Sequence, residues 1–144
     1  MRRAALLVLV VLAVLVSDAL ASGAPPRFAG CASYLSPTVA GSVRPASIVI
    51  ACGDGNFYVD HLRWSSWGPT VANATGLGHA NDCTPYCAAG KFHTYRLSVR
   101  LDLRRVCGTT RRIAQFTRIS WRFTGVRPRG VGPTDSQSFR CSKP

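Results

Sequence analysis

Within Phe92–Arg104, and again within Ile113–Phe123, apolar side chains recur at every second position. Tyr95, Leu97, Val99, Leu101 and Leu103 alternate with Arg96, Ser98, Arg100, Asp102 and Arg104. Ile119, Trp121 and Phe123 then alternate with Arg118, Ser120 and Arg122. A period of two puts successive side chains on opposite faces of an extended chain, so each run reads as a strand with one buried face. Cys107, Gly108, Thr109 and Thr110 lie between them as a loop. Paired as a hairpin, the two strands would carry Arg96, Arg100, Arg118 and Arg122 on one outer face. Arg104, Arg105, Arg111 and Arg112 would gather at its loop end.

The upstream chain extends this pattern. Ser47–Cys52 is a short apolar run, and Gly53-Asp54-Gly55-Asn56 after it is a turn signal. Phe57–Trp64 alternates imperfectly: Tyr58, Asp60, Leu62 and Trp64 are expected on one face, and Phe57, Val59, His61 and Arg63 on the other. Gly68-Pro69 ends that run, and Val71–Leu77 reads as a strand of small residues. Gly76, Gly78, Asn81, Asp82 and Pro85 are expected to open a long loop. No amphipathic helix or internal repeat is visible. Five short strands separated by turn signals predict an all-β chain, a small antiparallel sandwich or barrel with irregular arms at both ends.

Met1–Ala21 has the layout of a secretory signal. Arg2 and Arg3 precede the apolar run Ala4–Val16, and Ala19-Leu20-Ala21 offers small residues for cleavage. The run is shorter than the roughly 20 residues a membrane span needs. The expected organisation is a signal at 1–21, an extended arm at 22–45, a β domain at 46–125 and a tail at 126–144. The mature chain would then lack a membrane span and work outside the cytoplasm.

Cys31, Cys52, Cys83, Cys87, Cys107 and Cys141 all fall after that segment. In an oxidising compartment an even set implies three disulfides, and six cysteines allow 15 pairings among which sequence does not choose. The rival is zinc held by His79, Cys83, Cys87 and His93. Its spacing is only loosely finger-like, and export favours disulfides over thiolates. No metal site and no cofactor are expected.

Sixteen of the 18 basic residues are arginine, the six acidic residues are all aspartate, and the formal net charge is +12. Chemistry that needs glutamate is therefore excluded. The charge is uneven. Ser22–Gly90 balances three arginines against three aspartates, whereas Lys91–Pro144 carries 13 basic residues against two acidic. Guanidinium groups suit phosphate and carboxylate, so Arg96, Arg100, Arg104, Arg118 and Arg122 are the candidate binding residues. The competing reading is a merely solvated face. Because Trp121 and Phe123 are expected to point into the core, nucleic-acid bases have no stacking platform. Anionic cell-wall polymer, acidic polysaccharide or lipid head groups suit an exported protein better.

Catalytic signals are sparse. His61 and His93 are the candidates for acid–base work, and either is explained better as an exposed or hydrogen-bonded histidine. By strand alternation, Asp60 and His61 should face opposite ways and be unable to pair. Asp54 has too few oxygen partners for a calcium loop, and a turn explains it. Trp64 and Trp67 read as a sugar platform or as core.

Three segments together resemble small secreted proteins of actinobacteria whose activity is uncharacterised. They are Ala51-Cys52-Gly53-Asp54-Gly55-Asn56, Trp64-Ser65-Ser66-Trp67-Gly68, and Asn81-Asp82-Cys83-Thr84-Pro85-Tyr86-Cys87-Ala88-Ala89-Gly90 with Phe92. The resemblance implies export and a compact domain, and brings no catalytic residues. The expected function is a secreted, disulfide-stabilised binding or envelope-associated module. A histidine-dependent extracellular hydrolase, nuclease-like, and a membrane-active basic effector are the alternatives. Oligomeric state is left open.

Overall fold

The computed structural model describes residues 23–36, 38–108 and 112–141. The signal-like segment, Arg111 and the residues after Cys141 lie outside them. Among the described residues the chain forms strands β1 (Arg27–Phe28), β2 (Ile48–Val49), β3 (Phe57–Trp67), β4 (Ala72–Asn81), β5 (Phe92–Cys107), β6 (Ile113–Phe123) and β7 (Thr134–Ser138). One short helix, α1 (Ala32–Leu35), follows β1. The strands make a single sheet in the order β1-β6-β5-β4-β3-β2, with β7 also on β6. All pairings are antiparallel except β1 with β6. The all-β expectation holds, as a mixed sheet curled into a half-barrel.

The curl brings β3 across to β6 over the two strands between them. Phe57 meets Trp121 at 5.2 Å between ring centroids, and Trp67 meets Phe116 at 5.6 Å. Between them lies the core, with Val59, Ala72, Leu97, Val99, Leu101 and Ile119 almost wholly buried. Removing the larger of these aliphatic side chains from water stabilises by about 1.5–3 kcal/mol each, and the alternation of β5 and β6 supplies four of the six.

The flanking segments complete the sheet. Phe28 of β1 is 4% exposed and bridges Ser42, so the arm runs from the β6 edge towards the β3 edge. The Trp67 indole donates to the Pro26 carbonyl and the Trp64 indole to that of Pro45, each at 2.9 Å. Both tryptophans are therefore clamps between core and arm, not a sugar platform. At the other end β7 is polar throughout and fully exposed, so no apolar pattern marks it in the sequence.

Three disulfides join Cys31 to Cys52, Cys83 to Cys87 and Cys107 to Cys141. With Cys83 and Cys87 joined, their sulfurs are not the thiolates a zinc site would need. The Asp54 carboxylate accepts from the backbone and side-chain amides of Asn56, which makes the turn. No helix among the described residues is long and apolar enough to cross a membrane.

Four expectations are corrected. Gly76, Gly78 and Asn81 do not open a loop; they lie in β4, which continues to Asn81. A Cβ on Gly76 would stand 2.7 Å from the Asp60 carbonyl oxygen, and one on Gly78 would overlap the Leu97 side chain. These glycines mark close packing, the second meaning of glycine inside a strand. The faces of β3 change over at a bulge between Asp60 and Arg63, so Leu62 and Trp64 join Val59 in or against the core. Leu103 was expected inward but is 43% exposed. Its backbone has φ +50° and the β5–β6 ladder breaks there, with Thr117 Oγ1 donating to its carbonyl at 2.8 Å. Finally, Asp60 and His61 do pair, because His61 sits in the bulge with φ +50°.

Candidate functional site

The register of β3, β4, β5 and β6 decides which polar residues meet. Ser98 lies opposite Arg122, Arg100 opposite Ser120, and Asp102 opposite Arg118. Across β4, Arg96 lies opposite Leu77, Thr75 is flanked by Arg63 and Ser98, and Asn73 stands beside Arg100. Cross-strand partners point to the same side. Arg63, Arg96, Arg100, Arg118 and Arg122 therefore share the outer face, away from the core, with Asp60 and Asp102 as its two aspartates.

This face has internal order. Asp102 is 14% exposed and receives Arg118 Nε at 2.7 Å and Arg118 Nη2 at 2.9 Å, a bidentate pair. Arg100 Nε reaches the same carboxylate at 3.2 Å. The Arg118 hydrogen bond, working against partial burial, holds the Asp102 carboxyl below its ordinary range, and the same contact raises Arg118. Arg96 and Arg122 are exposed, and no carboxylate among the described residues pairs with either. Between Arg100 and Arg122 the hydroxyls of Ser65, Thr75, Ser98 and Ser120 line a shallow depression of about 410 Å³. A second, of about 520 Å³, is bordered by His61, Arg63, Thr75, Arg96 and Thr124. Thr75 belongs to both, so a polar path runs from His61 to Arg122. Fixed cations spaced by small hydroxyls offer several donors, few acceptors and little bulk, which suits an extended polyanion.

Arg104 stands apart from this row. It lies beyond the ladder break at Leu103, opposite the core residue Phe116. Arg105 and Arg112 are exposed nearby.

The three histidines divide between the two faces. Asp60 Oδ1 is shared by His61 Nδ1 at 2.8 Å and His79 Nε2 at 2.9 Å. A carboxylate only accepts, so both nitrogens donate. The far nitrogen of His79 meets Thr94 Oγ1 at 3.2 Å, and its ring stacks on Tyr58 at 4.6 Å. Burial pulls Asp60 upward, but the two imidazole hydrogen bonds outweigh it and leave its pKa lowered. His93 pairs with Ala80, next in register to the His79–Thr94 pair, and so points to the opposite side of the sheet. There it bonds Asp82 at 2.9 Å and borders a cleft of about 860 Å³ floored by Phe57, Tyr95, Trp121 and Phe123. His61 and His93 are therefore not brought together.

Sequence reasoning missed the Asp60–His61–His79 cluster and Arg63. The available signal was Gly76, which leaves room for a bulge in the neighbouring strand. Compared with protein-family models, curated proteins and solved structures, the chain matches none.

Proposed function

We propose that this protein is an exported, non-catalytic binding module that holds an anionic polymer of the cell envelope against its outer sheet face. One observation carries the reading: the register of β4, β5 and β6 sets Arg96, Arg100, Arg118 and Arg122 on a single face, interleaved with Ser98 and Ser120. Wall polymer, acidic polysaccharide and lipid head groups all present the required charge. Nucleic acid is a poorer fit along the arginine row, since the aromatic rings of β6 are in the core and the rings on the outer face, Tyr58 and Phe92, lie beside His79 away from Arg100 and Arg122. Export is supported by the signal-like Met1–Ala21 segment and by three disulfides.

Retention on immobilised polyol phosphate and polygalacturonate tests the reading. Retention should fall steeply with salt, because each bound cation releases counterions, and should be lost in an Arg96→Gln, Arg122→Gln double variant. Retention that survives high salt, or that ignores both substitutions, contradicts it. The hydrolase alternative, with His61 or His93 as acid or base, gains no cleft that holds both, since they stand on opposite faces. Turnover of nucleic acid or glycan abolished by His93→Ala would support it. Leakage from anionic but not neutral vesicles would favour the membrane-active alternative.

A further inference from the structure

One residue on the outer face is held in a backbone conformation that its side chain disfavours. His61 has φ +50° inside β3, a region that residues bearing a Cβ seldom enter. Bulges turn a side chain to a new direction and gather beside functional sites, and strain of this kind persists only where surrounding structure enforces it. Here the enforcing partner is visible. Gly76 lacks the Cβ that would collide with the Asp60 carbonyl oxygen and crowd the Leu62 side chain. The bulge therefore fits β4 only at a glycine, and it turns the His61 ring onto Asp60. The imidazole is left 74% exposed at the rim of the depression bordered by Arg63, Arg96, Thr75 and Thr124.

We infer that this depression is a subsite for a single phosphodiester group, gripped by Arg63 and Arg96 and, when protonated, by His61 Nε2. This rests on the anionic-polymer reading and narrows it to one chemistry. A planar carboxylate is satisfied by one guanidinium fork, as Arg118 satisfies Asp102. Two guanidiniums and an imidazolium around one hollow suit instead a tetrahedral group with oxygens in several directions.

Acidity controls the grip. Asp60 occupies Nδ1 of His61, so at high pH its Nε2 is a bare acceptor, which repels a phosphate oxygen. On protonation it becomes a donor. The charged and titratable groups facing it are Asp60 and Tyr58 from β3, His79 from β4, and Arg63 and Arg96 across the hollow. Of these groups only imidazoles change charge between pH 5 and 8. Added charge at the hollow should tighten phosphodiester binding on the order of tenfold.

Calorimetric titration with a short glycerol phosphodiester oligomer tests this, since its charge is constant over that range. Wild type should bind about tenfold more tightly at pH 5.5 than at pH 8, and oligogalacturonate, whose planar carboxylates are each satisfied by one guanidinium fork, should gain less. His61→Gly suits the positive φ, so it should melt no lower than wild type yet lose the acid gain. Arg122→Gln should weaken binding equally at both pH values and keep it. Vesicles of phosphatidylglycerol, run alongside, separate a lipid source of the phosphodiester from a soluble polymer. A His61→Gly variant that keeps the acid gain, or melts well below wild type, overturns the subsite, as does an equal gain with oligogalacturonate. In each case Arg122 dependence would leave the broader reading standing. Binding indifferent to Arg122 and Arg100 as well would remove both.

Discussion

Asp102→Asn should separate stability from binding. In the native face this carboxylate takes two hydrogen bonds from Arg118 and one from Arg100. The amide keeps one acceptor oxygen and turns a donor towards the guanidinium groups, so most of that network is lost. Hydrogen bonds to charged groups contribute about 1.5–3 kcal/mol when shielded. Arg118 and Arg100 are 39% and 54% exposed, and solvent reduces such pairs to about 0.2–1 kcal/mol each. A loss of about 1–2 kcal/mol follows, or a fall in Tm of about 3–8 °C for a domain of this size. Binding should move the other way. The variant removes one of two aspartates from a face with five arginines and frees Arg100 and Arg118 for ligand. Affinity for anionic polymer at low salt should rise, and the slope of log K against log salt should steepen by about one. Thermal melts and a salt series on one preparation measure both. A variant that binds more weakly, or whose slope is unchanged, would refute the reasoning: Asp102 would then be positioning the arginines for ligand, or the face would not be the contact.

The disulfides should rank by the loop each closes. Loops of 34, 21 and 4 residues correspond to about 4, 3 and 2 kcal/mol; chemical denaturation of the three double-alanine variants should reproduce that order. Hydrogen bonds from His93, with backbone amides of Lys91 and Thr84, lower the Asp82 carboxyl to about 2. A depressed carboxylate stabilises the fold above its ordinary pKa near 3.9 and loses that effect as pH falls towards 2. Acid titration of Asp82→Asn should therefore show a flatter stability profile between about pH 4 and pH 2. Gly76→Ala should cost about 1–3 kcal/mol through its collision with the Asp60 carbonyl, read as a lowered urea midpoint.

Strand alternation made β5 and β6 legible because one face is buried and the other solvated, the condition under which period two is informative. It failed where local backbone geometry departs from the pleat. Leu103 does not announce its positive φ, since nothing about its side chain favours that conformation, and histidine, though commoner there than most residues, adopts it too rarely for His61 to signal it. β7 was invisible because Thr134–Ser138 buries no side chain and is held mainly by backbone pairing to β6. The arginine row was readable at Arg96, Arg100, Arg118 and Arg122, while its tether at Asp102 and the departure of Arg104 needed the register. The disulfide pairing was beyond sequence in principle, for it depends on which loops the curled sheet brings together.

The central claim is that the outer face of β5 and β6 is where a ligand sits. Nuclear magnetic resonance of the ¹⁵N-labelled protein, titrated with glycerol phosphodiester oligomer, resolves backbone amides and arginine Nε–H groups separately. Perturbations concentrated at Arg96, Arg100 and Arg122, fading with added salt, are the predicted result. Perturbations centred instead on His93, Tyr95 and Arg129 around the opposite cleft would contradict the claim.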